Sequence, residues 1–161
     1  MALNVASLPI TVGVGAFVIR DGAVLVVRRT YGPSKGLWTI PSGYLEPGES
    51  VAQAVEREVR EETAVTARAE AIVGVRNRVT EAANDTFLIF AMAYESGEPR
   101  PDGEEVSDAA FLPLEDVSHS GDSAPFTRAI VPRLVQTRGM RLDAYAPSQD
   151  ASVTLAYLLY I

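Results

Sequence analysis

The chain has 161 residues, of which 47% are apolar and 22% charged, enough for one domain with a single core. The net charge of -7 argues against broad nucleic-acid binding, because proteins that bind phosphate backbones rely on clustered Lys and Arg. The absence of Cys and the single His exclude disulfides, thiolate nucleophiles and Cys- or His-rich metal sites. Any metal site must therefore be built from oxygen ligands.

The start of the chain is apolar but does not resemble a targeting segment. The stretch before Arg20 has no charged n-region and passes into strand-like alternation, so we do not expect a signal peptide. No apolar run approaches the roughly 18 residues that a membrane span requires. We expect a soluble, cytoplasmic protein with no membrane partner.

The first predicted elements form a β-hairpin. Residues 11–20 and 23–29 are rich in β-branched and apolar side chains, and Asp21-Gly22 between them favours a tight turn. A loop that contains Gly and Pro leads into a short segment at 37–40. A second loop, punctuated by Gly and Pro, follows at 41–48.

The clearest predicted helix runs from Val51 to about Thr63. This stretch contains no Gly or Pro, and its valines recur at helical spacing. Ser50 is the expected N-cap, since its side chain can accept a hydrogen bond from the first turn.

The second half of the chain predicts more strands and one more helix. The expected strands are 65–79, 86–94 and 109–112, and the nearly all-apolar 86–94 is expected to be central in the sheet. The last helix carries apolar residues from Phe126 to Val135 and is expected to end near Gly139. Pro132 predicts a kink or a late start in it. The fold class is α/β: a mixed sheet with two helices.

The first helix carries acids on its apolar side. At about 100° per residue, Glu58 and Glu62 fall on the side of Val51 and Val55, with Glu61 at the edge. Charged helix faces are ordinarily solvated, but like charges four residues apart repel, and they do so more strongly when desolvated. A bound cation would remove that repulsion. Hard ions such as Mg²⁺ accept carboxylate and phosphate oxygens, so the pattern indicates phosphate chemistry.

The run GYLEPGESVAQAVEREVREETAV at residues 43–65 resembles the Nudix box. Its matching positions are Gly43, Glu49, Arg57, Glu58, Val59, Glu61, Glu62 and Val65. The one departure is Ala64, where the family usually has a Gly that closes the helix. The resemblance covers most of residues 9–138. It implies a single Nudix-type domain, an α/β/α sandwich with this core and a C-terminal extension at about 140–161.

The resemblance also implies roles for the box residues. In that family the helix carboxylates hold divalent metals that bridge a diphosphate and activate a water for in-line attack on phosphorus. By analogy Glu58 and Glu62 are metal ligands, and Glu61 is a ligand or the base. Gly43 belongs to the metal site as well as to the structural part of the box. Glu49 and Arg57 resemble the structural pair that orients the loop against the helix.

Residues outside the box have more open assignments. Glu105, or failing that Glu104, resembles a distal acid that serves as base or ligand, with a solvated loop acid as the equal alternative. Arg28, Arg29 and Lys35 precede the box as candidates to meet substrate phosphates, chiefly Arg28, although basic residues at strand ends are usually solvated. Tyr31 and Trp38 are candidates to stack on a base, with core packing favoured for Trp38. His119 is expected at the surface, in a polar turn.

The implied function is Mg²⁺-dependent hydrolysis, with Mn²⁺ as an alternative metal, of a diphosphate bond in a nucleoside diphosphate derivative or a nucleoside triphosphate. The sequence lacks the markers that separate substrate subgroups, so the substrate stays open. A second hypothesis is a Nudix-fold ligand sensor without turnover, although such regulators usually lose box acids. A third, an isoprenoid diphosphate isomerase, needs a Cys that this chain lacks.

The apolar segment 151–161 follows the last expected helix. An exposed apolar patch of that size would be a liability, so we expect it to pair with a sheet edge or to be buried at the interface of a homodimer.

Overall fold

A computed structural model describes residues 9–144 and 156–161. Its eight strands are β1 Ile10–Arg20, β2 Ala23–Arg29, β3 Trp38–Thr39, β4 Ser42–Tyr44, β5 Thr66–Val79, β6 Asn84–Ser96, β7 Val106–Pro113 and β8 Met140–Arg141. Its helices are α1 Val51–Thr63, α2 Leu114–His119 and α3 Pro125–Leu134. In the part of the chain described, no helix combines the length and apolar character needed to cross a membrane.

One mixed sheet organises the molecule. Its main path has the order β3-β2-β1-β6-β5-β8, with β4 paired to β1 and β7 paired to β2. The central pair β1 and β6 is parallel, whereas the other strand pairs are antiparallel. The expectation that the apolar segment 86–94 is central is confirmed, because β6 lies between β1 and β5.

The helices cover both faces of the sheet, which confirms the α/β sandwich. Alternate residues of β1 point to opposite faces. Val14 and Val18 pack with α1 residues in one buried cluster, while Phe17 packs with α2 and α3 residues in the other. The predicted hairpin is also present, and Asp21 and Gly22 turn it with φ values of 51° and 78°.

Helix α1 has the predicted bounds and caps. Ser50 and Gln53 form a reciprocal capping box, in which each side chain bonds the backbone N–H of the other residue. Ala64 closes the helix in the left-handed conformation, at φ 59°, although it replaces the usual Gly. The helix therefore ends at Thr63 even though Ala64 stands where the box usually has Gly.

Several local expectations were wrong. Helix α3 ends at Leu134, five residues before Gly139, and begins at Pro125, so that Pro132 lies inside its last turn. The short helix α2 was not predicted, and neither was β4, which forms inside the expected loop at 41–48. Helix α2 has only six residues, which is too short to show a periodic pattern of apolar residues in the sequence. His119 ends α2 and is exposed there, as expected of a surface residue.

The C-terminal residues described pair with the sheet edge, as expected. The backbone of Ile161 exchanges two hydrogen bonds with Arg141, of 2.9 and 3.0 Å, and Asp143 donates to Leu159 at 2.7 Å. The ring of Tyr160 packs against Phe90 with centroids 5.8 Å apart. Residues 151–155 of the predicted segment lie outside the described residues.

Candidate functional site

Helix α1 brings two acids into the protein interior. Glu58 and Glu62 are 9% and 2% exposed and lie on the same face as the buried Val55 and Val59. Glu61 is at the rim, with 58% of its side chain exposed. The prediction that Glu58 and Glu62 point inward is confirmed by this burial.

Glu62 is paired with Arg29 at the end of β2. The Arg29 guanidinium donates to both oxygens of the Glu62 carboxylate, and it also donates to the backbone oxygen of Ser42 at 2.8 Å. The Ser42 N–H donates to Glu62 Oε2 at 3.0 Å. Burial raises the pKa of Glu62 to about 7 in spite of the nearby arginine, because the carboxylate has lost its contact with water.

Arg57 ties the loop before α1 to the acids. It donates to both oxygens of Glu49 at 3.0 and 2.7 Å, to Glu58 at 2.7 Å and to Glu61 at 3.2 Å. Its remaining contact is the backbone oxygen of Tyr44, at 3.1 Å. Arg57 is about 100° from Glu58 around the helix, and its long side chain turns back to reach the acids. Hydrogen bonds from Arg57 lower the pKa of Glu49, whereas burial raises the pKa of Glu58.

Gly43 in β4 lies directly against the Glu58 carboxylate. A Cβ added at Gly43 would be 2.0 Å from Glu58 Oε1 and 2.1 Å from its Cδ, so any other residue would displace this carboxylate. The packing places a peptide backbone beside an acid that the box resemblance assigns to metal binding.

The donor set suits a hard divalent cation, because it consists of carboxylate and backbone oxygens. Within residues 9–144 and 156–161, no three acidic or His side chains already converge on one metal position. The reason is visible in the pairing, since Glu62 is held by Arg29 and Glu58 by Arg57. The residues fit such a cation in chemistry and location, and their side chains would have to reorient to bind it.

These acids line a cavity of about 310 Å³. Its wall is formed by Tyr31, Gly43, Tyr44, Glu46, Arg57, Glu58, Glu61, Glu62, Asp102 and Glu105. Of the two candidate distal acids, Glu105 belongs to this wall and Glu104 does not. Tyr31 Oη donates to Glu105 Oε2 at 3.1 Å, a bond that links the loop after β2 to the loop before β7.

A second cavity, of about 340 Å³, adjoins the first. Tyr31, Gly43 and Tyr44 line both cavities, so the two are neighbours that share these residues. The rings of Phe87 and Phe126 and the ion pair Arg76–Asp85 form other parts of the second wall.

The structure brings neither Arg28 nor Trp38 to these cavities. The Arg28 guanidinium donates to the backbone oxygen of Gly36 at 2.7 Å and lies over the Trp38 ring, 4.4 Å from its centroid. Trp38 is buried in the core, the role that was favoured for it. Lys35 is exposed and absent from both walls. The neighbouring Arg29 enters the site instead, because alternation along β2 turns it inward.

Comparison with known proteins agrees with this geometry. The family model described as NUDIX domain matches residues 9–134, which is most of the chain. The chain belongs to the Nudix family.

Two curated relatives illustrate the range of this Nudix chain's similarity. It is 28% identical over 108 residues to an ADP-ribose pyrophosphatase of Methanocaldococcus jannaschii, covering 66% of this chain and 63% of that protein. It is 30% identical over 96 residues to the NAD-capped RNA hydrolase NudC of Photobacterium profundum, covering 60% of this chain and 35% of that protein. The chain thus spans less than two thirds of the length of these relatives.

A solved structure shows the same Nudix fold. The MutT NUDIX hydrolase from Burkholderia pseudomallei is 26% identical, with a TM-score of 0.67, and the match covers 76% of this chain and 96% of that one. The fold expected from the Nudix box is therefore confirmed.

Sequence reasoning missed part of this Nudix site. Asp102 and Tyr44 line the acidic cavity, and Arg76, Asp85 and Phe126 line the second one. These residues come from three different strands, a loop and helix α3, and they share no spacing pattern. The available signal was the unusual Gly-Val-Gly in β1, which makes room for a ring from another strand.

Proposed function

We propose that the chain hydrolyses a diphosphate bond in a nucleoside diphosphate derivative or a nucleoside triphosphate, with a divalent metal as cofactor. The observation that carries this proposal is the burial of Glu58 and Glu62 side by side on α1, at the wall of a cavity formed with Gly43. Burying an acidic side chain lowers the stability of the folded protein. Acids that are buried in the wall of a cavity are therefore candidates for a functional role.

Glu58, Glu61 and Glu62, with the backbone at Gly43, are the residues that would hold the metal, with Mg²⁺ preferred and Mn²⁺ as the alternative. Such an ion, when bound, neutralises diphosphate oxygens and lowers the pKa of water. Arg29 and Arg57 contact these acids, and their guanidiniums would be available to pair with phosphate oxygens beside such an ion.

Glu105 is the best candidate for a general base outside the helix. It lies on the same cavity wall as Glu58 and Glu62, and Tyr31 fixes its carboxylate by a hydrogen bond of 3.1 Å. Glu61 remains an alternative base, since it is exposed at the rim of the same cavity.

The names of the curated relatives give a starting point for choosing which substrates to test. The Methanocaldococcus jannaschii relative carries the name ADP-ribose pyrophosphatase, which favours a nucleoside diphosphate joined to a sugar. We therefore place ADP-ribose first among the compounds to be tested. A small nucleotide, and no nucleic acid, is the expected partner.

The test is a screen of nucleoside diphosphate derivatives and nucleoside triphosphates with Mg²⁺ and with Mn²⁺, followed by identification of both products. In the Glu62→Gln variant we expect turnover to fall by orders of magnitude, because a hard anionic ligand is lost. Glu98→Gln is the matched control, since Glu98 is also paired with an arginine but lies on the surface. Near-normal turnover of Glu62→Gln at every metal concentration would contradict the proposal.

We also expect a homodimer in solution, as the apolar C-terminal segment suggested. The described residues 156–161 already cover a sheet edge, so the interface would involve other parts of this surface. Sedimentation equilibrium at several protein concentrations distinguishes a dimer from a monomer.

A further inference from the structure

Glu105 is exposed on the loop between β6 and β7, where no helix or strand sets its direction. A long side chain in such a place ordinarily samples many rotamers, and holding it in one of them costs conformational entropy. A general base, however, acts only within hydrogen-bond reach of the proton that it takes. The residues around Glu105 must therefore supply its order.

Asp102 holds the backbone on both sides of Glu105. Its Oδ1 accepts hydrogen bonds from the N–H groups of Glu104 and Val106, each of 2.9 Å. Gly103 closes the turn, since its N–H donates to the backbone oxygen of Val106 at 3.0 Å and its φ of 82° suits glycine. Short acidic side chains commonly stabilise turns in this way. One carboxylate oxygen of Asp102 is thus already engaged with the protein backbone.

The loop after β2 supports the same turn from its other side. The Thr30 N–H donates to the backbone oxygen of Glu105 at 3.0 Å, and the Thr30 hydroxyl donates to the backbone oxygen of Glu104 at 2.7 Å. These contacts fasten the turn to the end of β2, the strand that also carries Arg29. With its backbone held by both segments, Glu105 has only its side chain left to orient.

Tyr31 orients that side chain. Its hydroxyl donates to Glu105 Oε2 at 3.1 Å, and both residues line the acidic cavity. In the part of the chain that the structure describes, Arg57 is the only basic residue on this wall, and its bonds go to other acids. The partner of Glu105 is thus a neutral phenol. A neutral donor holds a carboxylate without the large loss of basicity that a neighbouring arginine causes.

We propose that Asp102 and Tyr31 are positioning residues that present the Glu105 carboxylate to the acidic cavity, Asp102 through the loop backbone and Tyr31 through its hydroxyl. This role rests on the proposed function, in which Glu105 is the general base. Asp102 is then not a metal ligand and Tyr31 does not act by stacking, although both line the cavity. Substitutions can separate these roles, because the ring, the hydroxyl and the charge can each be removed alone.

The first experiment measures the steady-state kinetics of Tyr31→Phe with Mg²⁺ and the best compound of the hydrolysis screen. The variant keeps the ring and loses only the hydroxyl that bonds Glu105. We expect kcat to fall on the order of tenfold, which is part of the about 10²–10⁴-fold that a general base contributes, and KM to stay within about twofold. If the ring acted by stacking on the substrate, both constants would stay at their wild-type values.

The second experiment separates the hydrogen bonds of Asp102 from its charge. Asp102→Asn keeps an oxygen that accepts from the N–H groups of Glu104 and Val106, so kcat should stay within about twofold of wild type. Asp102→Ala removes the acceptor and should lower kcat on the order of tenfold. A metal ligand would behave differently, because loss of its charge alone would abolish its function.

The third experiment combines two substitutions. Glu105→Gln removes the base, and adding Tyr31→Phe to it should lower kcat no further, because Tyr31 acts through Glu105. If Tyr31 acts elsewhere, the losses in kcat of the two single variants will multiply in the double variant, and the proposal is wrong.

The chain offers a matched control for each positioning residue. Tyr94 also donates from its hydroxyl, to the backbone oxygen of Gly97 at 3.0 Å, but it lines neither cavity. Thr80 Oγ1 also accepts from two backbone N–H groups in a turn, those of Ala82 and Ala83, and it too lies on neither wall. Tyr94→Phe and Thr80→Ala should leave both kcat and KM unchanged.

Crystal structures of Tyr31→Phe and Asp102→Ala give a measurement that needs no turnover. We expect the Glu105 carboxylate to leave the cavity wall in both variants. Three results would overturn the proposal: Glu105→Gln keeps wild-type turnover, Tyr31→Phe keeps wild-type kcat, or Asp102→Asn loses as much activity as Asp102→Ala. Failure of the proposed function is distinguishable, because no product would then form in the screen while Glu105 would still be displaced in both crystal structures.

Discussion

Replacing Gly43 by Ala should separate the stability of the protein from its activity. The new Cβ would be 2.0 Å from Glu58 Oε1, whereas real Cβ contacts are essentially never under 3.0 Å, so the carboxylate must move by about 1 Å or more. The carboxylate is the far end of a flexible side chain and borders a cavity of about 310 Å³, which offers it room. Gly43 itself has no positive φ, so its backbone accepts Ala.

The stability cost can be worked from the contacts that Glu58 loses. Its bond from Arg57 Nη1, of 2.7 Å, involves two charges and contributes about 1.5–3 kcal/mol. The Gly to Ala change restricts the unfolded chain and offsets roughly 0.4–1 kcal/mol of this. We expect a net loss of about 1–2 kcal/mol, which leaves the protein folded. A displacement of about 1 Å in a group that acts in the reaction costs on the order of 100-fold in rate.

The assay combines urea denaturation, the turnover of the best compound from the screen, and titration of Mg²⁺. Gly121→Ala is the control, because an added Cβ there has no atom within 4 Å. It should change neither property. If Gly43→Ala keeps wild-type turnover and metal affinity, the position of Glu58 against Gly43 has no functional meaning. If the variant is unfolded, the inference that the carboxylate can move is wrong.

Three smaller predictions concern the caps and the loop of α1. Ala64→Gly should raise the melting temperature by roughly 2 °C, because Ala64 holds a left-handed conformation at φ 59° that glycine adopts freely. Ser50→Ala should lower the free energy of unfolding by about 1 kcal/mol in urea denaturation, since the capping box is lost. Arg57 lowers the pKa of Glu49, so the stability from this carboxylate is present above its unfolded pKa and disappears as the pH falls through the lower folded value. Glu49→Gln should therefore flatten the loss of stability below about pH 4.5 in acid titrations followed by circular dichroism.

Much of the fold was predictable because its signals are local. Asp21-Gly22 specifies a tight turn, and the spacing of valines after Ser50 specifies an amphipathic helix with its start. The inward direction of Glu58 and Glu62 follows from the same helical angles. The unbroken apolar run in β6 reflects burial on both faces of the sheet.

The other parts of the site could not be predicted, because they depend on contacts between residues that are far apart in the sequence. Arg28 and Arg29 are adjacent in the sequence and have the same side chain. Only the position of β2 in the sheet decides that Arg29, and not Arg28, contacts Glu62. Arg76 and Asp85 pair diagonally across β5 and β6, because Arg76 is directly opposite Phe87 and Asp85 is directly opposite Arg78. Counting outward from the turn finds Arg78 opposite Asp85, so it does not identify the diagonal partner that Asp85 has in the structure.

The pairing of Arg29 with Glu62 and of Arg57 with Glu58 also bears on how the protein matures. The two guanidiniums act as internal counterions for acids that would otherwise repel each other in the interior. Chains whose fold depends on a metal stay unfolded until the ion arrives. Here the compensating charge is part of the polypeptide, so folding and loading of the site can be separate events, in that order.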